Sequence, residues 1–569
     1  MFHKLVCVFS LLCLVTIGSS RAFAVEPDAP EKLISKGEFL SIMVHRHLRR
    51  LPAPRNVLEQ SERNGLELFY SLRNGNMLWV DEKRPTVRAM TVMSEISHAD
   101  EWGLRAVDFN LPHLPAFGSR DRAWKVKALI AFELAISRAV LKYARQARGG
   151  RLPLSQVSTV IDRKPPMLSP MSVLTNVEAS ENPAAYLRGL HPQHRQFHLL
   201  REAYLAALSR ERGGDSRVVR RARSERKRSR RRSKRRSARQ TRLSQRLLYN
   251  MEMWRWMPES LGRTHVWANI PEYKFRVVGE GRVVHQERMI VGKATNMTPV
   301  FSDAMETVVF KPYWNIPNSI KVKELLPSLL GSGSALRRQN LRIAYGGRQI
   351  QPGEVDWSRK DIRNYHVYQP PGRGNALGRV KFLFPNKHAV YMHDTPTKHL
   401  FRSRRRAYSH GCMRVRNPLK LAEVLLSQDR GWGRNRIASL ASSGPEDNKV
   451  RLRDAVPVHV TYFTAHVSAS GQIKLFDDIY GHEKLIKSGL DGREFAVATT
   501  SSKQDLDTVR EQIIAKRGGV RRRGEGVSGE YRSALGAIVP ASSQPAPRAV
   551  RRRSRSSSWK RSVFLGSDS

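Results

Sequence analysis

Residues 391–414 read Tyr-Met-His-Asp-Thr-Pro-Thr-Lys-His-Leu-Phe-Arg-Ser-Arg-Arg-Arg-Ala-Tyr-Ser-His-Gly-Cys-Met-Arg, and two histidines, His393 and His410, bracket Cys412. A thiol with an ordinary pKa of ~8.5 is a poor nucleophile at neutral pH; a neighbouring imidazole can take its proton or stabilise the thiolate. On an extended strand His410 and Cys412, two positions apart, share a face. His393 ends a separate strand pattern that begins at Lys381, so it can approach Cys412 from across a sheet, which favours it as the base. Gly411 allows a sharp turn beside Cys412 that would aim successive N–H groups at one point, as an oxyanion hole requires. Arg414 suits a substrate carboxylate.

A lone cysteine is more often a small buried hydrophobe than a nucleophile; here the flanking histidines argue for chemistry. A zinc site from His393, His399, His410 and Cys412 has plausible ligand types, but the spacing matches no closed metal pattern.

Outward from this cluster the chain is strand-rich. Short β-patterned runs, Val266 to Ile270, Lys274 to Val278, Arg288 to Val291 and Thr307 to Phe310, are separated by Gly, Pro and Asn, and a last run covers Val456 to Phe463. Pro418 to Leu426 reads as a short helix. Upstream, residues 35–208 read as mostly helical. Trp124 to Ala147 has apolar residues at three- and four-residue spacing and is stopped by Gly149-Gly150, and a further helix covers Arg195 to Leu208. No fixed-period repeat and no phosphate-binding glycine loop is present.

The chain has 569 residues with 100 Lys+Arg against 50 Asp+Glu, a formal charge of +50. Two Arg/Ser-rich tracts, Arg217 to Arg246 and Lys516 to Arg561, hold 29 basic residues against three acidic ones, about half of that excess. Such tracts cannot bury enough apolar surface to fold, and the rest is a moderately basic globular body. This excludes a wholly disordered or uniformly basic histone-like protein. Met1 to Lys4, the apolar Leu5 to Gly18 and Ala22-Phe23-Ala24 form a leader expected to be cleaved after Ala24, too short to span a bilayer. Cys7 and Cys13 would leave with it, so Cys412 would be the one mature cysteine and no internal disulfide could form.

The segment His393 to Arg414, with its Ser-His-Gly-Cys-x-Arg core, resembles the signature of the L,D-transpeptidases, the YkuD-type enzymes that cross-link peptidoglycan. Pro312-Tyr313-Trp314-Asn315-Ile316-Pro317, Asn375-Ala376-Leu377-Gly378 and Phe384-Pro385-Asn386 resemble the large, scaffolded members of Gram-negative bacteria. Leu78-Trp79-Val80, Gly103-Leu104, Tyr143-Ala144-Arg145 and Trp254-Arg255-Trp256-Met257-Pro258 are similar to that family's scaffold, and Asp478-Ile479-Tyr480-Gly481 to its continuation. The resemblance implies that Cys412 attacks the bond between the L-centre of a stem-peptide diamino acid and the terminal D-alanine. With His393 as base, it forms a thioester that an amine of a neighbouring stem resolves into a direct cross-link. It further implies donors near Gly411 and Cys412 for the oxyanion, a site shaped by His410 and Arg414 with Ser409 beside them, and a cap over the substrate lined by Tyr313, Trp314, Asn375 and Phe384. No metal and no cofactor is implied. Two features depart from the family. Between Leu208 and Arg246 there is no room for a peptidoglycan-binding domain, and Val367-Tyr368-Gln369-Pro370-Pro371-Gly372 lacks the usual Arg-Gln pair.

The expected architecture is α+β: a leader (1–24), a helical scaffold (25–208), a basic disordered segment (209–246), a catalytic domain (247–465) with a cap at about 314–390, a return to the scaffold (466–502) and a basic disordered tail (503–569). The expected location is the periplasm, with peptidoglycan stem peptides as partner and no transmembrane segment in the mature chain. The basic segments suit anionic lipid or lipopolysaccharide surfaces. Nucleic acid, their obvious rival, is opposed by the export signal. Three other readings stay open: an L,D-carboxypeptidase, an enzyme attaching protein to peptidoglycan, and a non-catalytic wall-binding protein with Cys412 buried.

Overall fold

The β-patterned runs fold into strands, and their pairing places the Cys412 segment at the centre of a sheet. The structure, a computed structural model, describes residues 35–81, 84–113, 122–221, 243–331, 333–493 and 503–520. The expected leader and residues 222–242 and 521–569 of the basic tracts lie outside the described residues. The chain divides into two compact units, residues up to 89 with 112–137, and residues 90–111 with 138 onward.

The first unit is helical. Ser35 and Asn56 begin the helices Lys36–Arg49 and Val57–Ser71 by accepting backbone N–H groups, Asn56 Oδ1 from both Leu58 and Glu59 at 3.1 and 3.0 Å. Leu48, Leu66, Phe69, Trp79, Ile130 and Leu134 are buried. Glu133 is buried with them; its carboxyl accepts from Leu78 N, Trp79 N and Tyr70 Oη at 2.6, 2.8 and 2.8 Å. Burial pushes that carboxyl up to about 7 against the pull of these donors.

The second unit holds the strands β1 (Thr264–Asn269), β2 (Lys274–Gly279), β3 (Arg282–Gly292), β4 (Phe301–Phe310), β5 (Trp314–Asn315), β6 (Arg342–Tyr345), β7 (Arg348–Ile350), β8 (His366–Gln369), β9 (Val380–Leu383), β10 (Met392–His393), β11 (Ala407–Ser409), β12 (Met413–Val415), β13 (Asn448–Thr461), β14 (Ala465–Val467) and β15 (Ile473–Leu475). Nine of them form one sheet in the order β11-β3-β12-β10-β9-β4-β13-β1-β2, and β2 pairs back onto β3, so the circuit closes. Most neighbours are antiparallel; β1–β13, β10–β12 and β11–β3 are parallel. Strands closed into a circuit bury their inward side chains without exposed edges. Val266, Phe275, Met289, Val308, Phe382 and Val458 are fully buried there.

The helices upstream pack into that same core. Phe197, Leu200 and Tyr204 of the helix Arg195–Arg221, with Trp102 and Val157, belong to one apolar cluster with the sheet, and a bridge joins Ile161 to Val300. The expected boundary near residue 208 is therefore no break in packing. Ile486 and Leu490 of the helix His482–Leu490, in the expected return segment, join this cluster as well.

A separate small body rises from the sheet. β5, β8, β6 and β7 form a four-stranded sheet, joined by helical turns from Asn318 to Leu329, with its own core of Ile320, Val322, Leu325, Leu326, Ile343 and Val367. It occupies the stretch expected as the cap and is referred to by that name below, and it ends sooner than expected on its C-terminal side. β9 pairs with β4 and β10, so residues 380–383 belong to the main sheet.

Three expectations are corrected. Lys381 to His393 is two short strands, not one, because Pro385 and the Asn386 side chain reverse the chain: Asn386 Oδ1 accepts from His388 N and Val390 N, both at 3.1 Å. Within the segment expected to be disordered, residues 209–221 and 243–246 are helical. Residues 503–520 also form a helix, whose apolar residues Leu506, Val509 and Ile513 find the cap core.

Candidate active site

β10 and β12 run side by side, with His393 opposite Arg414 and Met392 opposite Met413, so strand pairing brings together residues about twenty positions apart. Met413 N donates to Tyr391 O at 3.0 Å, which fixes Tyr391 beside Cys412. Between β11 and β12 the chain turns at Gly411, whose φ of +121° is left to glycine. His410 and Cys412 therefore sit on a turn, not on one extended strand. Ser409 closes the turn: its Oγ donates to Cys412 O at 2.5 Å and accepts from Gly411 N at 3.2 Å. Behind the turn, Thr298 Oγ1 donates to Gly411 O at 2.7 Å and Gly292 N donates to Thr298 Oγ1 at 2.8 Å. Tyr480 Oη donates to Gly292 O at 2.6 Å and accepts from Thr298 N at 3.2 Å.

Cys412 opens into a cavity of about 160 Å³. Trp314, Pro317, Ile320 and Leu377 of the cap line one side, and Tyr391, His393, Thr397, Ser409, His410, Cys412 and Arg414 line the other. The structure thus gathers Cys412, His393, His410, Ser409, Arg414 and Trp314 around one space. Gly411 shapes the turn that carries the cysteine. Three expected lining residues are placed elsewhere. Tyr313 donates its hydroxyl to Glu446 at 2.7 Å outside the cavity. Asn375 is buried in its own loop, donating to Pro312 O and Pro370 O at 3.0 and 2.9 Å. Phe384 is in the sheet core against Phe301. At Asn375 and Phe384 the family-like text serves chain reversal and packing.

His393 Nδ1 faces Asp394 O at 2.5 Å. A carbonyl can only accept, so the proton is on Nδ1 and the lone pair on Nε2. Burial, and next the charge of Arg414, push this imidazole down to about 3, so it is neutral at pH 7. Asp394 is anchored in turn: Oδ2 accepts from Arg379 N at 2.9 Å, and Lys398 Nζ contacts Oδ1. Gly378 has to be glycine, since a Cβ there would collide with the Asp394 carboxyl and its φ is +61°.

The Cys412 thiol is pushed up to about 11 by burial, opposed first by the Tyr391 backbone N–H, then by the Arg414 charge and the Tyr391 hydroxyl. Its other contact is Ala389 O at 3.9 Å, made possible by the loop that Asn386 folds. His393 lines the same cavity but is not among the thiol's contacts. At neutral pH the resting pair is thus thiol and neutral imidazole, not thiolate and imidazolium. Arg414 is nine-tenths buried, donates to Thr397 Oγ1 at 3.2 Å, and its Nε has no hydrogen-bond partner among the described residues. Tyr391, Thr298, Tyr480 and Glu324, whose carboxylate contacts His410 Nε2, were not singled out as site residues from sequence. Tyr391 and Tyr480 stood inside quoted motifs; Glu324 left no signal. Among the described residues no group of three His, Cys, Asp or Glu side chains could hold a metal ion. No described helix is long and apolar enough to cross a membrane.

A strand-paired Cys/His site under a cap is the arrangement, and the comparisons say which domain it is. Residues 263–441 match the L,D-transpeptidase catalytic domain (YkuD) and residues 64–203 the scaffold domain. The chain carries both. A curated protein of Haemophilus influenzae named "Putative L,D-transpeptidase" is 32% identical over 246 residues, 43% of this chain and 49% of that protein, so the chain spans about half the length of that relative. An L,D-transpeptidase structure from Mycobacterium smegmatis is 12% identical, covers 35% of this chain and 58% of its own, and superimposes with a TM-score of 0.17, too low to bear on the fold.

Proposed function

We propose that this protein is a peptidoglycan L,D-transpeptidase acting through a Cys412 thioester. The observation that carries the reading is the single cavity in which a thiol, a neutral histidine with its Nε2 lone pair unoccupied by the backbone, and a buried arginine with a spare N–H meet beneath a cap. The donor stem enters with the carbonyl of its diamino-acid L-centre at Cys412. His393 Nε2 takes the thiol proton as Sγ attacks, the C–S bond forms, and the carbonyl oxygen becomes an oxyanion. Gly411 N–H is engaged by Ser409, so the Cys412 N–H is the donor this reading assigns to the oxyanion. Collapse breaks the C–N bond, and the proton on His393 leaves with D-alanine. The amine of a neighbouring stem then attacks the thioester, gives a proton to His393, and the departing sulfur recovers it.

The resting values, about 11 for the thiol and about 3 for His393, oppose a separate proton transfer, so in this reading the proton moves only in concert with attack on the bound carbonyl. A proton transfer that waits for substrate keeps the cysteine unreactive in an oxidising compartment until the cavity is filled. In this reading the enzyme works in the periplasm after loss of its leader, and its basic segments hold it near anionic lipid or lipopolysaccharide. Given tetrapeptide-stem muropeptides, the protein is expected to release D-alanine and form dimers joined between two diamino acids, with neither product from Cys412→Ala. Tripeptide alone would assign water as the acceptor, and the absence of all three products would overturn the reading.

A further inference from the structure

A side chain of the cap, Glu324, reaches the catalytic turn. Residues Lys321–Leu325 form a single π-helical turn between the short helical pieces Asn318–Ile320 and Leu326–Leu329. Such turns widen a helix by one residue and re-aim its side chains, and they occur often at functional sites. Val322, Leu325, Leu326 and Leu329 fill the cap core, while Lys321 Nζ donates to Tyr365 O at 2.8 Å. Glu324 leaves that core in another direction. Its side chain is only 9% exposed, and Oε1 contacts Nε2 of His410, two residues from Cys412. A carboxylate desolvated to this extent persists only with a cationic or N–H partner. Its second oxygen has no hydrogen-bond partner among the described residues, and neither has His410 Nε2, so the two side chains meet as a close polar contact rather than an aligned hydrogen bond, with His410 as the basic group the geometry supplies.

The same cap segment is braced from outside. The helix Lys503–Val520 lies beyond both matched domains. Its Ile513 is buried in the cap core, and Leu506, Val509 and Ile514 pack against that core. Asp507 Oδ1 pairs with Arg363 Nη2 at 2.5 Å, and Arg510 Nη2 donates to Lys360 O at 3.4 Å. The residue that ends the catalytic motif's reach into the cap and the helix that closes the cap core are thus parts of one packed body.

We propose that Glu324 is a positioning residue that latches the cap onto the catalytic turn through His410, and that the C-terminal helix Lys503–Val520 holds the latch in register. The inference rests on the transpeptidase reading of the site. The helix sets how firmly the cap seats over Cys412, and Glu324 converts that seating into the orientation of the His410–Cys412 turn.

The test uses the full chain with Glu324→Ala, Glu324→Gln, Ile513→Asp, and the double variant Glu324→Ala with Ile513→Asp. Two rates are read on each: acylation of Cys412 by a tetrapeptide-stem muropeptide, and alkylation of Cys412 by iodoacetamide. Asp507→Ala, at a half-exposed position, repeats the helix arm with less disturbance of packing. Glu324→Ala is expected to slow acylation on the order of tenfold to hundredfold, the cost of misplacing reacting groups, with KM little changed. Glu324→Gln, which keeps an oxygen to face His410, recovers most of it. Ile513→Asp and Asp507→Ala shift acylation the same way, and the double variant is no slower than Glu324→Ala alone. Alkylation moves in the opposite sense, several-fold faster in every variant except Glu324→Gln, because a loosened cap admits a small reagent. Rescue of both rates by Glu324→Gln, together with the non-additive double variant, separates a latch from general loss of structure, which would slow acylation and speed alkylation in every variant alike. Unchanged acylation in Glu324→Ala, or losses that multiply in the double variant, would overturn the proposal while leaving the transpeptidase reading intact. Should the wild type take no acyl group, that reading falls and alkylation alone decides: faster in the variants supports the latch, unchanged refutes it.

Discussion

At Cys412 two opposing effects set the chemistry. Desolvation disfavours the thiolate, while the Tyr391 N–H, the Arg414 charge and the Tyr391 hydroxyl favour it, and desolvation prevails. The alkylation rate of Cys412 is therefore expected to keep rising with pH toward about 11 instead of levelling off near the ordinary thiol value. Tyr391→Phe, which removes one of the stabilising donors, moves the midpoint higher still. A plateau already at pH 7–8 would mean that a thiolate–imidazolium pair exists in the resting enzyme, contrary to the neutral His393 found here. Cys412 stood out in the sequence because the chain has only three cysteines, two of them in the expected leader, and His393 because it ends a strand pattern close to the cysteine motif. Tyr391 did not, because its influence is exerted largely through a backbone N–H, which every non-proline residue possesses.

The elements around the site explain what spacing alone could not. Reading His410 and Cys412 as one extended strand fails at Gly411, where the turn is closed by Ser409 and propped by Thr298 and Tyr480. Tyr480 lies almost seventy residues downstream, so its role depends on the tertiary fold and not on any local pattern. Tyr480→Phe removes a hydroxyl that serves both Gly292 O and Thr298 N. Leaving those buried groups unpaired is expected to cost on the order of 1–3 kcal/mol of stability. It should also lower the turnover rate with little change in KM, since the turn rather than the substrate pocket is loosened. Thermal unfolding with steady-state kinetics checks this, and a variant equal to wild type in both would remove Tyr480 from the account. The strand runs were legible from their alternation. The break at residues 384–391 was missed because Val390, Tyr391 and Met392 carry on an apolar pattern that the Asn386 side chain overrides.

Across the whole molecule, the α+β character and the helical upstream region followed from periodicity, whereas the way they combine did not. Helices read as a separate scaffold share one apolar cluster with the sheet, and a helix inside the basic tail fills the cap core. Composition hid the second of these: in residues 503–520 a few apolar residues at helical spacing are outnumbered by polar ones, and their value lies in a partner surface some 150 residues away. The charge excess is located in the sequence, about half of it in the two Arg/Ser-rich tracts. The central claim, that Cys412 carries the acyl group, concerns the molecule as it works. The direct measurement is intact mass and peptide mapping of the full chain, rapidly quenched after mixing with a tetrapeptide-stem muropeptide, beside Cys412→Ala. The account predicts a thioester adduct lacking the terminal D-alanine, mapped to the peptide bearing Cys412 and absent from the variant. No adduct on wild type, or one that persists in Cys412→Ala, would contradict it.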